Sequence, residues 1–157
     1  GQRHRLLRAQ SEPSKTPSGD ARRAMLYVRN YDAGVVHEIS VDSGSAQIEI
    51  RDLRHAAASP SAEETQDAMT LVKADPAFAE QAANPMLELM GGFQWTGQGA
   101  EDPCARDFCV QVAFMEHNFE KKPVHFIIVN LSRQEIVSRD LVKNATAQAP
   151  SNQRKDD

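Results

Sequence analysis

A chain of 157 residues, 40% hydrophobic and 25% charged, has room for one domain and the balance of an ordinary soluble globular protein. A formal net charge of −4 argues against a general nucleic-acid binder. No run reaches the length of a membrane span, so no membrane insertion is expected, and the N-terminus lacks the apolar core of a signal peptide.

Residues 1–22 are rich in Arg, Ser, Pro and Gln without a hydrophobic period, and read as a disordered basic leader. Structure is expected to begin near Arg23. Ala24 to Tyr31 reads as a strand, Asp32-Ala33-Gly34 as a turn, and Val35 to Val41 as a second strand. In that strand His37, Ile39 and Val41 share one face, and Glu38, Ser40 and Asp42 the other. Ser43-Gly44-Ser45 turns into a third strand, Gln47 to Leu53. After a loop, Ser61-Ala62-Glu63-Glu64 has the spacing of a capping box, and Thr65, Ala68, Met69 and Val72 form a helical stripe. Asp75-Pro76 interrupts that helix. A second helical piece is expected over Ala77 to Ala83, and Pro85 suits the start of a short third one that runs through Met90 and stops at Gly91-Gly92.

Phe93 to Arg106, with Trp95, several glycines and Pro103, reads as a long irregular loop. Asp107 to Glu116 alternates as a fourth strand: Phe108, Val110, Val112 and Phe114 face one way, Cys109, Gln111, Ala113 and Met115 the other. Val124 to Leu131 and Glu135 to Leu141 follow as fifth and sixth strands, and residues 143–157 read as a disordered tail. Residues 23–142 are thus expected to form a single α+β domain. Its antiparallel sheet of about six strands (three strands, a helical segment, three strands) would pack on a central helix.

Two segments repeat. Val36 to Leu53, VHEISVDSGSAQIEIRDL, overlays Val124 to Leu141, VHFIIVNLSRQEIVSRDL, with eight identities and no gap. Each reads as a hairpin. Where the first copy has Glu38 and Ser40, the second has Phe126 and Ile128, so the fifth strand is apolar on both faces. A helix can cover one face. The other must be covered by loops, by the Gly/Trp segment around Trp95, or by another chain. Phe126, Ile128 and Trp95 are therefore the candidate interaction surface.

Asp32-Ala33-Gly34-Val35 with Glu38 to Asp42, the helix start Ser59-Pro60-Ser61-Ala62-Glu63-Glu64, the helix body Ala68 to Lys73 and the closing Ile127 to Leu141 carry a family resemblance. Their order resembles the cystatin-like α+β domains, PepSY-type modules among them. More narrowly, it is similar to the small N-terminal domains of copper amine oxidases. Those domains carry no catalytic residue, so the resemblance implies an interaction module and transfers no active site. The quinone of that family is made from a Tyr in an Asn-Tyr-Asp/Glu motif, and Asn30-Tyr31-Asp32 matches those letters. Tyr27 stands where the family motif prefers Thr, and no His-x-His pair follows. The tripeptide is read as a strand end entering a turn.

Cys104 and Cys109 are the only cysteines and are expected to form a local disulfide if the protein is exported, periplasmic or secreted. Free thiols and, third, a metal site are the other readings. His37 and His125 hold equivalent positions in the repeats and could meet at a metal. The plainer reading puts each at the rim of the core, with a hydrogen bond to a neighbour. Arg51-Asp52 and Arg139-Asp140 read as hairpin-end ion pairs or turn formers. Met115 reads as packing rather than as a ligand beside Glu116 and His117. No nucleophile elbow frames a Ser and His, and no Gly-rich loop opens a helix. The expectation is a non-enzymatic, exported interaction module with a protein partner or a second copy of itself, and no cofactor. A small metal-binding protein and a small enzyme with a pocket between helix and sheet are the alternatives.

Overall fold

The same short turn is used three times. Asn30, Asp42 and Asn130 each end a strand and accept backbone N–H groups on their own Oδ1. The donors are Asp32 and Ala33 at 3.1 and 3.0 Å, Gly44 and Ser45 at 2.9 Å each, and Arg133 at 3.0 Å. Four residues after each of these, the backbone turns left-handed, at Gly34 (φ 66°), Ala46 (φ 53°) and Gln134 (φ 57°). A short polar side chain that mimics a backbone turn fixes each reversal.

The computed structural model describes residues 2–13, 22–54, 58–97, 99–118 and 122–138. The chain runs β1 (His4–Pro13), β2 (Arg22–Asn30), β3 (Val35–Asp42), β4 (Ile48–Arg54), α1 (Ala62–Ala74), α2 (Ala79–Ala83), β5 (Leu87–Trp95), β6 (Cys109–Glu116), β7 (Pro123–Asn130) and β8 (Glu135–Ser138). The strands form two four-stranded antiparallel meanders, β1-β2-β3-β4 and β5-β6-β7-β8. The expected single sheet of about six strands on a central helix, cystatin-like in form, is therefore wrong. The fold is mostly β.

Two misread segments account for the difference. The supposed leader supplies β1, whose backbone pairs along β2 from His4 opposite Asn30 to Pro13 opposite Arg22. An edge strand is held by these ladder bonds and tolerates Arg5 and Arg8 in place of an apolar period. The supposed third helix and the start of the long loop are β5. Its Gly91-Gly92 pair is a bulge against β6, with Gly91 opposite Val112 and Phe93 opposite Gln111. Residues 139–157, including the expected tail, Arg139 and Asp140, lie outside the described residues.

The capping box forms as expected: Ser61 Oγ accepts the Glu64 N–H at 3.1 Å, and the Glu64 carboxylate accepts the Ser61 N–H at 2.8 Å. Asp75 ends α1, and a 3₁₀ turn over Pro76–Phe78 leads into α2. α1 packs on the second sheet, where Ala68, Val72 and Phe78 meet Phe108, Val110, Val112, Phe114, Ile127 and Val129 in the main core. The first sheet reaches that core through Tyr31.

Candidate functional site

The register of the second sheet puts Phe126 opposite Ala113 and Ile128 opposite Gln111, which pair in turn with Met90 and Phe93. These side chains point away from the α1-covered face, because Ile127 and Val129 alternate with them into the core. The doubly apolar character of β7 is thus real, and its outer face is covered over only part of its area. Trp95 packs on Ile128 and on Cys104 and Cys109, which form a disulfide with Cα atoms 5.5 Å apart. Ile128 is buried under this lid. The remainder is open: Phe126 is half-buried, Met90 is 37% exposed and Phe93 is 72% exposed.

Of the three residues singled out from the sequence, then, Ile128 lies inside, Trp95 is its cover, and Phe126 borders the open part. Met90 and Phe93 were missed. The signal that could have found them is the period-two run Leu87-Glu88-Leu89-Met90, in which Leu87 and Leu89 pack on the core.

His37 and His125 do not come together. His37, on β3 in the first sheet, donates from Nδ1 to Asp52 Oδ1 at 2.7 Å. His125, on β7 in the second, has its Nδ1 buried with no partner among the described residues. With both cysteines oxidised, no thiolate is available as a ligand. Among the described residues no group of three or more His, Cys, Asp or Glu is placed to hold a metal. Arg51 pairs with Glu38 at 3.4 Å in the middle of the β3–β4 ladder, not at a hairpin end or in a turn.

The most polar buried feature joins the two sheets to the helix. Arg29, at the end of β2, donates from Nε to Glu64 Oε1 at 2.8 Å, and the Tyr31 hydroxyl donates to the same oxygen at 2.7 Å. Both members of the ion pair are buried. The guanidinium lies 3.5 Å from the centre of the Phe108 ring and donates to the Ala58 carbonyl at 3.0 Å. Burial lowers the Arg29 pKa, against the attraction of Glu64. Burial, then the hydrogen bond to Glu64, raises the Tyr31 pKa well above the usual phenol range. A phenol whose folded pKa is raised contributes stability that is complete below its unfolded pKa of about 10 and is lost as pH rises above it. The urea midpoint should therefore fall above about pH 10, and Tyr31→Phe should remove part of that decline while costing about 1 kcal/mol at neutral pH. An unchanged alkaline decline in the variant would contradict the assignment. Tyr27 is also raised, first by its hydrogen bond to Glu38, but it lies near the surface.

A cleft of about 590 Å³ opens between the start of β1, α1 and the β7–β8 turn, lined by Arg3, Arg5, Tyr31, Asp67 and Thr70 among others. Its charged groups are paired in part, while Arg5 Nη1 is buried with no hydrogen-bond partner among the described residues. Arg5 pairs with Asp67 at 2.7 Å, the Arg3 N–H donates to Asp32 at 2.7 Å, and the Arg3 guanidinium donates to the Leu131 and Ser132 carbonyls. No described helix is long and apolar enough to cross a membrane.

No protein-family model matches the sequence, and no curated protein matches it. Among solved structures the chain is similar to a copper-containing benzylamine oxidase from Hansenula polymorpha, with a TM-score of 0.50 and 14% identity over 76% of this chain. It spans 20% of the length of that oxidase. The likeness is one of fold, to part of a copper amine oxidase.

Proposed function

We propose that this chain is a non-enzymatic, exported interaction module, related in form to the small N-terminal domains of copper amine oxidases and acting without a catalytic domain. The observation that carries the reading is the open part of the outer face of the second sheet. There Phe93, Met90 and Phe126 form an apolar patch beside the rigid lid of Trp95 and the Cys104–Cys109 disulfide. A patch of this kind, with large apolar side chains around a fixed centre, suits a protein partner, and a second copy of the chain is the simplest one. The disulfide supports an oxidising compartment.

The test is light scattering behind size exclusion, with circular dichroism on the same samples. Phe93 is so exposed that Phe93→Ser should leave the fold intact, whereas Phe126→Asp also strikes a half-buried position. A dimer weakened at least tenfold by Phe93→Ser, with unchanged circular dichroism, is the expected result. A folded Phe93→Ser and a folded Phe126→Asp that associate as the parent does would end the reading.

A further inference from the structure

Each sheet ends in two edge strands, and three of the four edges are blunted. β1 shifts register between Leu6 and Arg8 and ends in Pro13. β5 bulges between Gly91 and Phe93, and β8 has four described residues. A bulge, a proline or a short strand keeps an edge from pairing with another chain. β4 has none of these. Its seven residues include no Gly or Pro and are exposed except at Leu53. They pair with β3 without a shift, from Arg54 opposite Val35 to Ile48 opposite Val41. Among the described residues no strand lies beyond β4.

One bond fixes which backbone groups of that edge are free. The Asp42 N–H donates to the Gln47 carbonyl at 3.0 Å, at the head of the β3–β4 ladder. Ladder bonds alternate along an antiparallel pair, so Gln47, Glu49, Arg51 and Leu53 direct their backbone groups to β3. Ile48, Ile50, Asp52 and Arg54 turn theirs outward. Charges are the remaining guard of an edge, and here they select one pairing rather than forbid all of them. For a second β4 added antiparallel, a two-fold axis at Glu49, Arg51 or Asp52 sets a charge against itself. An axis at Ile50 sets Ile50 against Ile50, and Glu49 against Arg51 twice. Glu49 has no ion-pair partner among the described residues. Arg51 bonds Glu38 through Nη1 and is 73% exposed, and a guanidinium can serve a second carboxylate.

We propose that β4 is a pairing edge for a second copy of this chain, added antiparallel about a two-fold axis at Ile50, so that the two four-stranded first sheets run on as one. Ile48, Ile50 and Asp52 then exchange both backbone bonds with Asp52, Ile50 and Ile48 of the copy. Glu49 and Arg51 stand in the closer, non-hydrogen-bonded positions, where opposite charges across strands stabilise the pair. Asp52 keeps its bond with His37 at 2.7 Å. The edge is a different surface from the patch at Phe93, which lies on the second sheet, and its pairing does not depend on that patch.

The test is made in the full chain carrying Phe93→Ser, so that the patch contributes nothing and failure of either reading leaves the other standing. Single cysteines read the axis. A residue on it meets its own copy with Cα atoms about 5.5 Å apart, within disulfide reach. Ile48 lies on the same face of β4 and is as open, at 65% against 62% for Ile50, but it stands opposite Asp52 of the copy. Ile50→Cys should therefore cross-link to a dimer under mild oxidation at least tenfold faster than Ile48→Cys. The native cysteines are bonded to each other and buried, so they take no part. Charge exchange gives a second reading by sedimentation, with circular dichroism to confirm the fold. Glu49→Lys and Arg51→Glu should each weaken self-association about tenfold. An equimolar mixture of the two should restore it, because Lys then faces Glu and Arg faces Glu across the axis. Equal cross-linking at the two cysteine positions would overturn the proposal, by showing contact through the face and not the edge. So would a folded Ile50→Cys chain that stays monomeric, or a mixture that associates no better than its parts.

Discussion

Glu64→Leu is expected to lower the unfolding free energy by about 3–5 kcal/mol. One substitution takes an acceptor from three donors at once: Arg29 Nε, whose guanidinium keeps only its bonds elsewhere such as that to the Ala58 carbonyl, the Tyr31 hydroxyl and the Ser61 N–H. Arg29 is the costliest of these, because it is buried beside Phe108 and cannot reach water without moving the end of β2. The loss of the capping box adds to the effect at the start of α1. The same reasoning gives the double variant Arg29→Met, Glu64→Leu a smaller loss than Glu64→Leu alone, since no uncompensated charge remains inside. Urea unfolding followed by circular dichroism reads both. A single-variant loss under about 1 kcal/mol would mean that the pair behaves as a surface salt bridge and that its burial is of no energetic consequence.

Gly91→Ala should cost about 3 kcal/mol, the upper end of what overpacking costs. A Cβ at this position would stand 2.6 Å from the Gln111 carbonyl oxygen and 2.6 Å from Val112 Cα. Both are backbone atoms of β6, in the middle of the second sheet, so no side chain can rotate away to make room. The strand has to shift, and it lies over the core that α1 closes. Thermal unfolding is the simple check. A variant as stable as the parent would mean that the bulge in β5 can relax. Replacing Gly99 instead is a suitable control, because its Cβ would meet nothing within 4 Å, although its φ of 108° still disfavours a side chain.

The parts of this fold written in contiguous patterns were legible in the sequence. Ser61 and Glu64 announce a helix start over four residues, Phe108 to Phe114 alternate cleanly, and both form what their spacing implies. β1 was hidden because its strand character rests on backbone pairing with β2, while its side chains, Arg5, Leu6, Leu7 and Arg8, show no period of two. β5 was hidden by ambiguity: four residues after Pro85 fit a helical turn as well as a strand, and Gly91-Gly92 ends a helix as readily as it bulges a strand. The disulfide, expected on the condition of export, is formed. The fate of Ile128 did not, since its burial depends on the Trp95 segment folding back over a face that spacing shows only to be apolar. The buried Arg29–Glu64 pair was invisible for a related reason. Nothing in the local sequence tells that two charges 35 residues apart will meet inside.

Every described strand pairs with a neighbour in sequence. Closing such a chain asks for short loops only, and the entropy of loop closure is met one hairpin at a time. Each sheet can therefore assemble from its own turns. Among the contacts that join them at the junction are the Arg29–Glu64–Tyr31 cluster, the Arg5–Asp67 pair, the bonds of Arg3 to the Leu131 and Ser132 carbonyls and the packing of Tyr31 beside Phe108. Compared with the sheets, this seam is narrow. That seam is where the two halves would first come apart.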